Sequence, residues 1–166
     1  MLLRKITMNR WDRGNPLFDK PEDVGLDAIA RDLKSTDNML SFWSFDDGAF
    51  EDAVVAFAST MERTDSLHFL LVEEQDLNKR EVPWVPSSGE TKFHGYKDRH
   101  VDVGALNYGN LHGLLEIVVD SVKCGVPAKI RLIDRKALKK LLQQAIAHGK
   151  IKIEELHEKM SAELSK

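Results

Sequence analysis

The segment Leu67–Val72 constrains the fold more than any other part of the chain. Its sequence, Leu-His-Phe-Leu-Leu-Val, is almost continuously apolar and is bounded by polar and charged residues. A run this short is typical of a strand buried on both faces, because only a sheet covered on two sides needs apolar residues at nearly every position. We therefore expect a sheet with helices packed on it and Leu67–Val72 at its buried centre.

Shorter strand-like runs and helical stripes alternate along the rest of the chain. The pattern predicts strands over 2–8, 39–45, 99–103 and 129–133, and helices over 23–34, 49–62, 111–122, between Asp134 and Gly149, and through Ile153–Leu164. Such alternation predicts an α/β fold: one domain over 1–166, in two or three layers. The expected sheet is mixed or mostly parallel and has four to six strands, with flanking helices and two helices at the C-terminus.

Residues 76–99 interrupt this alternation. The segment contains Pro83, Pro86, Gly89 and Gly95, which predict either an irregular loop or a hairpin turning at 87–89. Loops of this length are uncommon in compact domains and are often functional. Trp84 lies between the two prolines. We interpret it either as an exposed aromatic anchor for a partner or as a side chain that pins the loop to the core.

Acidic residues follow the predicted strands. In a mostly parallel sheet the carboxyl ends of the strands meet at one edge, so these side chains would gather there. Gathered carboxylates repel one another unless a cation or a basic partner neutralises them. The sequence therefore predicts a divalent-cation site, for instance for Mg²⁺, or an acidic docking surface; helix capping explains some of the same residues. The residues concerned are Asp12, Asp46, Asp47, Glu73, Glu74, Asp76 and Asp134.

His100 and Asp102 form the best candidate for acid–base chemistry. If 99–103 is a strand, the two side chains share one face, because side chains alternate with a period of two. A histidine beside a carboxylate is able to serve as a general acid or base near neutral pH. His94 and His112 lie close by in sequence, but the spacing matches no metal-binding motif, and surface or structural histidines are the simpler interpretation.

Charge is distributed unevenly around an overall net charge of −3. Residues 1–122 are acidic, whereas 123–166 are basic and include Arg131, Arg135, Lys136, Lys139 and Lys140. This basic part lacks interleaved aromatic residues, so we do not expect a nucleic-acid partner. The single cysteine, Cys124, excludes an internal disulfide, and neither a signal peptide nor a membrane-spanning run is apparent. We expect a cytoplasmic chain without a membrane partner.

Two functions follow from these features. The first is a small binding protein of the inhibitor, immunity or adaptor type, which engages a basic protein partner through its acidic surface and needs no cofactor. The second is a small hydrolase or nuclease that uses either a metal ion at the carboxylates or the His100–Asp102 pair. The sequence contains no Gly-x-Ser-x-Gly motif and no complete phosphate-binding loop.

Overall fold

The computed structural model describes residues 1–11, 20–123 and 129–165. Within these ranges the chain forms strands β1 Leu2–Ile6, β2 Leu40–Ser44, β3 Leu67–Val72, β4 Trp84–Ser87, β5 His100–Val103 and β6 Ile130–Ile133. The helices are α1 Met8–Trp11, α2 Leu26–Asp32, α3 Phe50–Ala58, α4 Glu74–Lys79, α5 Tyr108–Lys123, α6 Arg135–Ala147 and α7 Glu158–Leu164. Short 3₁₀ turns occur at Pro21–Asp23, Lys97–Arg99 and Ile153–Glu155.

The six strands form one sheet with the order β4-β5-β2-β1-β3-β6, and every neighbouring pair is antiparallel. The prediction of a mixed or mostly parallel sheet is therefore wrong, although the predicted α/β class and strand number are confirmed. The reason lies in the crossovers. Helix α3 joins β2 to β3, which run in the same direction, but β1 lies between them; α5 likewise joins β5 to β6, with three strands between.

Helices cover both faces of the sheet, so the fold has three layers. On the first face, α3, α6 and α7 pack over Leu3, Phe69 and Leu71. On the second face, the long helix α5 packs over Leu70 and Val72, together with residues of α2 and α4. Each such side chain contributes about 1.5–3 kcal/mol when fully buried.

Strand β3 has the bounds predicted from its apolar run and is buried on both faces. It lies between β1 and β6, second from one edge of the sheet. The predicted burial on both faces is therefore confirmed, whereas the strand is not at the centre of the sheet. The two helices predicted at the C-terminus are also present as α6 and α7. The Asp134 side chain caps α6 by accepting a hydrogen bond from the Ala137 backbone N–H at 2.8 Å.

The segment 76–99 is ordered and differs from the predicted loop or hairpin. It contains most of α4, all of β4 and a 3₁₀ turn, and β4 pairs with β5 instead of with residues 91–96. The connection between β4 and β5 folds back over the first face, where Phe93 and Tyr96 are buried. The Thr91 hydroxyl donates a hydrogen bond to the Ala56 carbonyl at 2.8 Å, which ties this connection to α3.

No helix within the described ranges combines the length and the apolar character that crossing a bilayer requires.

Candidate functional site

The antiparallel topology keeps five of the predicted rim residues at one end of the sheet and places Asp134 at the other, because β6 runs antiparallel to β3. β2 and β3 both end where β1 begins, because Leu2 lies opposite Ser44 on one side and Val72 on the other. This end of the sheet, which we call the acidic end, carries Asp46, Asp47, Glu73, Glu74 and Asp76. The predicted rim residue Asp12 lies outside the described residues, so its part in the grouping stays a prediction.

Several carboxylates at the acidic end already have basic partners. Asp46 lies 2.9 Å from Arg99 Nη2, and Asp76 lies 2.9 Å from Lys129 Nζ. The hydrogen bond from Lys129 is the main cause that lowers the pKa of Asp76 below its usual value. Glu74 lies 3.7 Å from the N-terminal amino group. Among the described residues, no group of three or more His, Cys, Asp or Glu side chains is arranged to hold a metal ion.

Trp84 is half-buried and packs against the apolar core of the second face. Its indole N–H donates a hydrogen bond to Asn78 Oδ1 at 3.0 Å. Both contacts join β4 to the body of the protein. They support the interpretation of Trp84 as a side chain that pins the segment to the core.

His100 and Asp102 lie on the first face, as the period-two argument requires. The sheet register adds neighbours that the sequence did not indicate. Across the sheet, His100 lies opposite Trp43 on β2 and Ser87 on β4, whereas Asp102 lies opposite Ser41 on β2. Cross-strand neighbours on one face have Cβ atoms about 4.5–5.5 Å apart, so the register assembles a polar patch on the sheet surface.

The His100 ring is held on several sides. Its Nδ1 lies 2.7 Å from Ser87 Oγ and 3.9 Å from Asp102 Oδ1. The Trp43 ring meets it edge-on, with centroids 5.1 Å apart. Gly89 covers another side so closely that a Cβ atom there would lie 2.6 Å from two ring carbons. These contacts leave His100 8% exposed and fix the orientation of its imidazole.

Burial lowers the pKa of His100, and the nearby Asp102 opposes this effect only in part. The imidazole is therefore neutral at neutral pH. The negative charge of Asp102 near Nδ1 favours a proton on that nitrogen, which then donates to Ser87 Oγ. We assign the proton in this way, and the Nε2 atom is left with a free lone pair.

An open groove of about 450 Å³ lies over this patch, and we call it the His100 groove. Its polar lining comes from Arg4, Lys5, Ser41, Thr60, Ser88, Glu90 and His100 itself. In the part of the chain that the structure describes, Nε2 of His100 has no hydrogen-bond partner, although it is not sealed from solvent. The arrangement is able to accept a hydrogen bond or a proton from a molecule in the groove.

Three residues of this site were missed by the sequence analysis. Ser87 and Lys5 reach His100 and the groove only through the strand order, which local patterns do not encode. Gly89 had a signal, since a glycine after two serines marks a turn, but that signal does not say that the turn covers a histidine.

Comparisons with known proteins do not extend these observations: no protein-family model, curated protein or solved structure matches the chain. The function has to be argued from the residues themselves.

Proposed function

We propose that this protein is a small hydrolase in which His100 acts as a general base within the His100 groove. One observation carries the proposal: a neutral, almost fully buried histidine leaves Nε2 without a partner at the groove. Nε2 is not sealed from solvent, so a molecule in the groove reaches its lone pair without breaking an internal hydrogen bond. A substrate hydroxyl or an attacking water would supply the missing donor.

The neighbouring groups have distinct roles in this proposal. Nε2 of His100 takes the proton of the attacking water and returns it to the leaving oxygen as the substrate bond breaks. Ser87 Oγ holds the ring through Nδ1, and it does not line the groove, so it is a positioning residue and not the nucleophile. Asp102 stabilises the imidazolium that forms, since its carboxylate is 3.9 Å from Nδ1. Lys5 and Ser41 are available to bind the substrate.

The test uses panels of chromogenic esters and phosphoesters, with and without Mg²⁺. The His100→Gln variant should abolish hydrolysis, whereas His112→Gln should leave it unchanged because His112 is an exposed residue of α5. Each variant is also checked for its melting temperature. The proposal would be contradicted if the folded fraction of the His100→Gln variant retained activity. It would also be contradicted if the parent protein were inactive on every substrate of the panel.

The pH profile separates a positioning role of Asp102 from a structural one. The base must be neutral, so the rate should rise with pH and reach a plateau, with its midpoint below the usual histidine value of 6.5. Because Asp102 raises the pKa of His100, the Asp102→Asn variant should move this midpoint to lower pH as well as reduce the rate. A purely structural role would leave the midpoint unchanged.

A second candidate function is supported by the acidic end. Asp47 and Glu73 are exposed there, and neither forms an ion pair with a described residue. Unpaired surface carboxylates at one end of a molecule suit docking of a basic protein, as in an inhibitor or adaptor. The ion pairs of Asp46, Glu74 and Asp76 reduce the free charge of this surface, so we rank it second.

A further inference from the structure

A second concave site lies at the opposite end of β1. It is an open hollow of about 550 Å³ into which four basic side chains project, and we call it the basic hollow. The four are Lys5 of β1, Arg10 of α1, Arg31 of α2 and Lys34 just after α2. None of them forms an ion pair with a residue in the described ranges. Elsewhere the chain does pair its cations, for instance Lys150 with Asp52 at 2.6 Å.

The acidic residues among the described lining offset this charge only in part. They are Asp27 and Asp32, so the described lining has two more basic than acidic residues. Asp32 is buried, and its carboxylate accepts hydrogen bonds from the Thr7 backbone N–H at 2.7 Å, the Thr7 hydroxyl at 2.9 Å and the Trp11 indole N–H at 2.7 Å. With three internal donors, this carboxylate serves the fold and not the surrounding cations.

The same network joins the elements that form the hollow. The Arg4 guanidinium donates hydrogen bonds to the carbonyl of Asp32, at 2.8 Å through Nε, and to the carbonyl of Ser41 at 2.8 Å. Burial lowers the pKa of Arg4 to about 10, and the nearby Asp32 opposes the effect, so Arg4 is still charged at neutral pH. Together, Arg4 and Asp32 fasten the end of α2 to β1, the two elements that carry Arg31 and Lys5.

We propose that the basic hollow binds the phosphate group of a small molecule. Like charges held together repel, and an anion in the hollow would relieve that repulsion. Arginine presents a planar fork of N–H donors that matches phosphate, while lysine adds point charge. A dianionic phosphate neutralises more of the excess charge than a single carboxylate does. The volume suits a small ligand, because the hollow is concave and bounded by β1, α1 and α2.

Lys5 connects this hollow to the His100 groove, because it lines both. A ligand held by its phosphate in the hollow would extend past Lys5 towards Nε2 of His100. This step rests on the proposed function and makes the substrate a phosphorylated small molecule. Phosphate binding itself rests only on the hollow.

Isothermal titration of the full chain with inorganic phosphate, at neutral pH and constant ionic strength, tests the proposal. We expect saturable binding that the Arg10→Gln and Arg31→Gln variants each weaken by about tenfold or more, as for the loss of a charge-assisted hydrogen bond. Lys136→Gln is the matched control, since it removes an exposed cation from α6, outside the hollow. No saturable heat, or equal weakening by Lys136→Gln, would overturn the proposal.

Further measurements separate a loss of folding from a loss of binding, and a small-molecule ligand from a nucleic acid. Circular dichroism of each variant shows whether it is folded, and the Arg31→Lys variant, which keeps the charge but loses the fork, should bind phosphate with intermediate affinity. Glycerol phosphate should bind at least as tightly as inorganic phosphate, whereas a short oligonucleotide that binds more tightly than both would overturn the assignment to a small molecule. The His100→Gln variant should keep phosphate binding, so failure of the hydrolase proposal is distinguishable from failure of this one.

Discussion

The protonation of His100 links a single side chain to the stability of the protein. Burial lowers its pKa in the folded state, while in the unfolded chain the imidazole has its ordinary value near 6.5. At pH values between these two, the unfolded chain binds more protons than the folded one. The free energy of unfolding therefore falls as the pH drops below about 6.5, until the folded pKa is passed.

This linkage predicts a pH-dependent difference between two histidine variants. Replacing the buried His100 by Gln should flatten the loss of stability as the pH falls from neutrality through about 6.5, because the titrating group is gone. Urea unfolding at several pH values measures the effect. The exposed His112→Gln variant serves as the control and should keep the slope of the parent. A slope in His100→Gln equal to that of the parent would contradict the burial argument.

Gly89 gives a second prediction at the scale of one residue. A Cβ atom at this position would lie 2.6 Å from two ring carbons of His100 and 2.8 Å from its Cβ, so rotation of the ring alone would not relieve the contact. Gly89→Ala should therefore cost about 1–3 kcal/mol, the usual range for overpacking. In Gly104→Ala the new Cβ meets only the flexible Met39 side chain, at 3.4 Å or more, so that control should change stability by less than about 0.5 kcal/mol in urea unfolding.

At the scale of elements, the sequence pattern predicted the strand and helix bounds that depend on neighbouring residues alone. The bounds of β3 follow from its apolar run, and α6 begins where Asp134 caps it. Strand β4 was not predicted as a partner of β5, because it is a short edge strand that contains Pro86 and alternates poorly. Proline is tolerated there since an edge strand leaves one side without a partner.

Helix α4 was missed for a different reason. Glu74 and Asp76 were assigned to an acidic rim, but they belong to the first turn of this helix, where negative charge complements the helix dipole. In the candidate site, too, some features follow from the local sequence and others follow from contacts between distant elements. The shared face of His100 and Asp102 depends only on the strand period and could be predicted, whereas Ser87 arrives through a pairing between elements.

The cap of α6 gives a prediction for an element. Asp134→Ala removes the acceptor for the Ala137 N–H and should destabilise the protein by about 1 kcal/mol. Asp134→Asn keeps an acceptor oxygen in the same place and should recover most of that stability. Chemical unfolding of the two variants measures the difference. Equal losses in both would show that the negative charge near the helix dipole matters more than the hydrogen bond.

At the scale of the whole molecule, strand order decides where charge collects. A helical crossover returns the chain to the end of the sheet where it started, so β2 and β3 run in the same direction. Whether another strand lies between them depends on pairing with a distant segment, in this case β1. The periodicity of a helix or strand does not predict which segments pair. Five residues of the predicted rim therefore lie at an acidic end where β1 begins, whereas Asp134 and the basic hollow lie towards the end where β1 finishes. A five-residue strand separates the two ends by roughly 15 Å.

This separation allows the docking function to be tested independently of the groove and the hollow. A basic protein captured from the native host should approach the acidic end, and its association rate should fall steeply as salt screens the charges. The Asp47→Lys/Glu73→Lys variant should slow association more than it speeds dissociation, because surface charges mainly steer the encounter. The Glu154→Lys/Glu158→Lys variant changes the net charge equally with exposed carboxylates of the C-terminal segment, so it is the matched control. Stopped-flow kinetics at several salt concentrations compare the two variants. Equal slowing in both would mean that the partner responds to net charge alone, and unchanged rates in both would exclude the acidic end as its docking surface.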